Sequence, residues 1–241
     1  MLSRLRRSAS GKHRRRPTSP AAVEVERGND ALRSGHLREA QSAYEMAIEH
    51  DGESPEAWNN LGVVAENVGR VQDALRNYNK AIRLRPRYAE AWCNKAMALH
   101  RLGKDEAAVE CLDRALRIVP ENPVALMNKG VIFSRQNRHD SAIECYDKAI
   151  RLDEKYAIAW VNKGVALLKL GKAEEAIEAF NKALAQRPDF PDAWFQKARA
   201  LVLAGNRDSA QICMERALEL EPGFAGPSDL SIKRLDAKES G

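Results

Sequence analysis

The sequence writes itself out again every 34 residues, and that period constrains the fold more than any other feature of the chain. Residues 157–172 read AIAWVNKGVALLKLGK; one period earlier stands PVALMNKGVIFSRQNR, and two periods earlier AEAWCNKAMALHRLGK. Trp58, Trp92, Trp160 and Trp194 fall on one lattice, with Leu126 in the gap. Six units fit it: 21–54, 55–88, 89–122, 123–156, 157–190 and 191–224. The eighth residue of each is small (Gly28, Gly62, Ala96, Gly130, Gly164 or Ala198), and the twentieth is alanine throughout, from Ala40 to Ala210. The fifteenth is glycine except for Asn137, and these are the residue types that enter a left-handed turn at least cost. It separates two segments of helical periodicity, so each unit is expected to be a helical hairpin. Pro86, Pro120, Pro188 and Pro222 interrupt the second helix before the next unit starts.

Helical geometry divides the first helix into two faces. Trp92, Ala96 and Leu99, like Trp160, Gly164 and Leu167, share one stripe, which is expected to be core. The small residue lets the partner helix approach, and Ala108, Ala115, Ala176 and Ala183 do the same from the second helix. No hairpin can bury its apolar face alone, so neighbours must stack. Roughly 165° round from the Trp stripe lie Asn94, Met97 and Arg101. The triplet recurs as Asn128, Val131, Arg135 and as Asn162, Val165, Lys169, with Asn60 in the second unit. Stacking would set these in rows of amides, small apolar groups and cations. Cys93, Met127, Val161 and Phe195, one position before each amide, are expected to widen the apolar row.

The pattern resembles the tetratricopeptide repeat family: Trp160, Gly164, Ala176, Phe180, Ala183 and Pro188 match its signature in a single unit. The resemblance implies an all-α, right-handed superhelical solenoid of six helix-turn-helix repeats, noncatalytic, holding a partner peptide in a concave groove. The Asn row is similar to the asparagine ladder that some members set against a peptide backbone, where an amide both donates and accepts. Two readings of the row stand: that ladder, or amides bonded within the stack. For Arg101, Arg135 and Lys169 the alternatives are selection of acidic or C-terminal groups and a merely hydrated face. Departures are Lys95, Lys129, Lys163 and Lys197 where the family often has Leu, Glu154 for the terminal proline, and Glu24 for the first Trp. The first unit therefore reads as a polar cap, and residues 225–241 as a short closing helix from Ser228, with Ile232 and Leu235 covering the last hairpin. Members that clamp a chaperone carboxylate carry Lys at the fifth position; here stand Val25, Asn59, Cys93, Met127, Val161 and Phe195, which disfavours that clamp.

Composition adds exclusions. Cys93, Cys111, Cys145 and Cys213 form no CxxC pair and have no His at zinc spacing, so neither a disulfide scaffold nor a metal site is expected, and a reducing, cytoplasmic compartment fits. No apolar run reaches the roughly 18 residues of a membrane span. The five histidines are scattered, and no phosphate loop follows a strand, so no enzyme and no cofactor is expected. The net charge of +5 is carried by residues 1–20, which hold seven Arg or Lys and no acid and leave the rest at −2. This segment reads as a basic, disordered tail. Its alternatives are an anion-binding arm, which is the one route to nucleic acid, and the minority reading of an organelle presequence. The function expected is that of a protein-interaction scaffold, with an adaptor for nucleic acid or another polyanion through the tail as the alternative.

Overall fold

The computed structural model describes residues 19–222, which form twelve α-helices and no strand. They pair as α1 (Pro20–Arg33) with α2 (Leu37–His50), α3 (Pro55–Asn67) with α4 (Val71–Leu84), and α5 (Ala89–Arg101) with α6 (Asp105–Ile118). The second half pairs α7 (Pro123–Arg135) with α8 (His139–Leu152), α9 (Ala157–Lys169) with α10 (Ala173–Gln186), and α11 (Pro191–Leu203) with α12 (Arg207–Leu220). The all-α class and the six hairpins read from the period are what the chain forms. The basic segment 1–18 and the closing helix expected over 225–241 lie outside the described residues.

Local chemistry explains the ends of the helices. Ser19, Ser54 and Asn122 cap α1, α3 and α7 by accepting from the N–H three residues on, and proline opens each of those helices at a place where its missing N–H costs nothing. Helix α1 thus begins at Pro20, one residue before the first repeat unit. Between paired helices the chain turns through Gly35, Gly69, Gly103, Gly171 and Gly205, all at positive φ, and through Asn137 at φ 58°. In four hairpins the second helix stops two residues before its proline, because the residue ahead of a proline is driven out of the α region: Arg85, Val119 and Glu221 are extended, and Arg187 has left the helix with φ −143° and ψ 86°. The first and fourth hairpins have Gly52 and Glu154 there. In both, an aspartate takes over: Asp51 and Asp153 are extended, and their Oδ1 atoms accept from the N–H of Glu53 and Lys155 at 3.0 Å. A side chain that bonds the backbone two residues on breaks the helix as a proline would.

One close contact recurs where the helices of a hairpin pack together. A ring from the second helix lies on the small eighth residue of the first: Tyr44 on Gly28, Tyr78 on Gly62, Tyr146 on Gly130, Phe180 on Gly164. These rings are fully buried or nearly so. Where the eighth residue is Ala96 or Ala198, the partner position holds Leu112 or Met214 instead. The chain divides into two units, 1–121 and 122–241. In the first, α2 packs on α3 and α4 on α5, while the first helices α1, α3 and α5 also touch in sequence. In the second, α8 packs on α9 and α10 on α11, and α7, α9 and α11 touch in sequence. The first helices of each unit therefore stand side by side.

The tryptophans depart from expectation. Each is half-buried at the rim of the core, and its indole N–H donates to a carbonyl six residues back: Trp58 to Gly52 (2.9 Å), Trp92 to Pro86 (3.0 Å), Trp160 to Glu154 (3.1 Å), Trp194 to Pro188 (2.9 Å). Tryptophan is large and carries one donor, so it settles where one edge is apolar and the other reaches a polar group. Its place here pins the loop that enters its own hairpin.

Candidate functional site

The side-by-side first helices place the recurrent triplets on one face of each unit. In the first unit the amides are joined into a chain. Asn94 Nδ2 donates to Asn59 Oδ1 (3.0 Å), Asn59 Nδ2 to Asn60 Oδ1 (3.1 Å), and Asn60 Nδ2 to Asn29 Oδ1 (2.8 Å). The Tyr44 hydroxyl donates to the same Asn29 oxygen at 2.8 Å. Asn59 is fully buried, at a place where the other hairpins carry an apolar residue, and such a group is tolerated only because both ends of its amide are bonded. In the second unit Asn162 Nδ2 donates to Met127 Sδ at 3.6 Å, and Asn128 is 3% exposed with its Oδ1 unbonded. Gln196, the sixth member of the row, donates to Asp192 (3.2 Å) and accepts from Arg199 (2.8 Å).

The apolar row is narrower than the sequence implies. Cys93, Met127, Val161 and Phe195 are buried, between 1% and 5% exposed, and present no surface. They lie on the side of the first helix that meets a neighbouring hairpin, and stacking covers them; Val161 belongs to a core cluster with Ala193 and Ala200 of α11. Met97, Val131 and Val165 are half-buried and remain on the face. Among the cations, Arg101 is engaged: its Nη1 donates to Oε1 and to the carbonyl of Glu66, each at 3.3 Å, while Glu66 Oε2 accepts from the Tyr78 hydroxyl at 2.9 Å. Arg135 and Lys169 are exposed at the C-terminal ends of α7 and α9, where a cation is favoured by the helix dipole.

Other polar groups have structural posts. Lys95, Lys163 and Lys197 lie over Trp92, Trp160 and Trp194 at 5.2 to 5.5 Å, and Lys129 lies over Phe133 at 5.5 Å. Lys163 also pairs with Asp147 at 2.7 Å. These stems cover apolar rims, as snorkelling lysines do. His100 is no surface group: its Nδ1 lies 2.7 Å from Asp105 Oδ1 across the turn, with the two side chains 12% and 13% exposed. Burial pushes the Cys93 thiol up to about 12, helped by the Glu90 carboxylate and Cys111, and burial raises Cys111 and Cys213 as well. All four cysteines are buried and none is in a disulfide. A thiol held protonated is a poor nucleophile and fills space. No helix among the described residues is long and apolar enough to cross a membrane.

Paired antiparallel helices of fixed length, a turn at positive φ, and a small residue under a ring from the second helix define an array of helical-hairpin repeats. Sequence profiles of the tetratricopeptide repeat match residues 25–74 and 127–191, 53–121 and 87–155, and 167–226. The chain belongs to the tetratricopeptide repeat family. Among solved structures it is similar to a chain of the APC/C hetero-tetramer Cut9-Hcn1, with TM-score 0.80, 23% identity and 89% of this chain covered. The match spans only 42% of that Cut9-Hcn1 chain. It is similar to PilF of Pseudomonas aeruginosa (TM-score 0.77, 20% identity, 91% of this chain and 98% of that one). YrrB gives a TM-score of 0.58 at 23% identity, over 83% of this chain and 99% of that one. These likenesses show the fold. No curated protein matches the sequence.

Proposed function

We propose that the protein is a noncatalytic scaffold that holds a segment of a partner protein against the first-helix face of each unit. The observation that carries the reading is the recurrence of amide, apolar group and cation on helices that stand side by side. Asn94 and Asn162 each commit one N–H to the stack, and an amide offers a second N–H and further acceptor capacity. They can serve the stack and a bound backbone together, so the two readings of the Asn row are compatible. Met97, Val131 and Val165 supply apolar contact, and Arg135 and Lys169 favour an acidic or C-terminal group. YrrB is described as having an unusual peptide-binding site, which agrees with this use of the fold. Four buried cysteines that form no disulfide fit a reducing, cytoplasmic setting.

Titration calorimetry against a partner recovered by affinity capture tests the reading. The expected result is a loss of about tenfold or more in affinity for N94A/N162A, which also melts lower because Asn59 Oδ1 loses its donor, and separately for R135E/K169E, with every variant titrated at a temperature where it is folded. Unchanged affinity in both variants, with loss on deleting residues 1–18, would refute it and move binding to the basic segment.

A further inference from the structure

Three of the six second helices carry one charge pattern on the side away from the core, and α2 and α12 have Ser42 with Met46 and Ile212 with Arg216 at the same places. In α6, α8 and α10 an acid is followed by a base four residues on: Glu110 and Arg114, Glu144 and Lys148, Glu178 and Lys182. That order of charges supports a helix. Helix α4 breaks it. Arg76, Lys80 and Arg83, at i, i+4 and i+7, form one cationic stripe, roughly opposite the buried Ala74, Tyr78 and Ala81. Arg76 is 74% exposed and Arg83 is exposed; Arg87 continues the charge beyond the helix. From Arg70 to Arg87 there are six cations and one acid, Asp73.

The acids nearby are already taken. Asp73 pairs with Arg76 and, at 4.0 Å, with Arg70; Glu56 holds Arg85 at 2.6 Å. Arg83 and Arg87 make no ion pair among the described residues. Like charges four apart weaken a helix, and the gain inside the hairpin is small, since Lys80 only leans over Trp58 at 5.9 Å. Asp73 and Trp58 offset only part of the repulsion along the stripe, and a local rule broken with so little compensation points to something outside the fold.

We propose that this face of α4 docks a short acidic protein segment, at a surface separate from the first-helix face. Arginine predominates in the stripe, and its planar fork suits carboxylates. The surroundings set the length: residues 21–54 hold eight acids against three arginines, and Glu45, Glu49 and Glu53 are exposed on the neighbouring hairpin. Three cations spread over seven residues of helix span about 10 Å. A long polyanion such as nucleic acid would run from that stripe onto the acidic hairpin, whereas two turns of an acidic helix would not.

The test uses the full chain and a labelled 14-residue helical peptide with Glu at i, i+4 and i+7, with its Gln counterpart as control. Carbodiimide coupling joins a bound carboxylate to a lysine amine, and in the wild type the coupled lysine should be Lys80. R76E restores the acid found at this place in α6, α8 and α10, so R76E/R83E should melt like the wild type while losing about tenfold in peptide affinity and the Lys80 coupling. Coupling confined to Lys12 or to first-helix lysines, or unchanged affinity in the variant, would overturn the proposal. So would a DNA duplex that binds as well and is lost equally, or a dimer in sedimentation that the variant abolishes.

Discussion

Replacing Gly164 by alanine should destabilise the chain, and shrinking Phe180 to leucine in the same molecule should recover much of the loss. A Cβ on Gly164 would lie 2.6, 2.7 and 2.9 Å from Cε1, Cζ and Cδ1 of Phe180, where carbon atoms at rest stand about 3.5–4.0 Å apart. Phe180 is fully buried, so the ring cannot step aside into solvent. Overpacking of this kind costs about 1–3 kcal/mol, and the better helix propensity of alanine returns about 1 kcal/mol. The net expectation for G164A is a loss of up to about 2 kcal/mol, towards the upper end because the buried ring has nowhere to move. F180L alone leaves a gap under the glycine and should cost a similar amount, about 1–2 kcal/mol. The double variant recreates the pairing of the third hairpin, where Ala96 faces a fully buried Leu112. Its loss should fall short of the sum by at least about 1 kcal/mol, within the range found for residues in contact. Urea unfolding of all four chains closes the cycle. Hydrogen exchange over α9 and α10 locates the effect, because a repeat array can unfold in parts. Additivity within about 0.3–0.5 kcal/mol would refute the contact as the reason for glycine at this position.

Three further outcomes follow from particular bonds. Trp160→Phe keeps the apolar body and removes the N–H given to Glu154; it should cost about 0.5–1.5 kcal/mol and speed amide exchange in residues 153–156, and unchanged exchange there would deny the clamp. Asp153→Ala, which removes the acceptor for the Lys155 N–H, should cost about as much and loosen the loop after α8, whereas the same change at Asp113 in the middle of α6 should leave that loop alone. The Cys93 thiol is raised from 9.0 to about 12 in the folded chain, so the unfolded chain releases its proton first; stability is full below about pH 9 and is lost as pH rises towards 12. Cys93→Ala should flatten that alkaline fall, and native Cys93 should resist iodoacetamide at pH 8 until urea is added.

The period, the hairpins and the small-residue contacts are legible in the sequence because each depends on local geometry repeated at a fixed interval. A finer rule was legible as well, sixteen residues apart: glycine at position eight goes with Tyr44, Tyr78, Tyr146 or Phe180, and alanine with Leu112 or Met214. So was the exchange of proline for a preceding aspartate at Asp51 and Asp153. The site was less legible. Position five lies well round the helix from the Trp stripe, and whether Met127 is surface or core depends on how the next hairpin leans, which no single helix encodes. Helical spacing puts the tryptophans on the core stripe, but their donors seek a backbone carbonyl, and a carbonyl carries no residue signature. His100 and Asp105 are five apart and meet only because a turn lies between them.

The amide chain of the first unit sets how far a disturbance travels. Asn59 passes a hydrogen bond from the third hairpin to the second, and Asn60 passes one from the second to the first, where Tyr44 anchors it. A group that draws the Asn94 N–H away leaves a buried oxygen on Asn59 without its donor, at a cost of about 1–3 kcal/mol unless the whole line of amides readjusts. Readjustment has to end at the Tyr44 hydroxyl, which can turn from donor to acceptor. For a bound segment that takes this N–H, occupancy at α5 and fraying at α1 would be linked, each changing the other by the same factor.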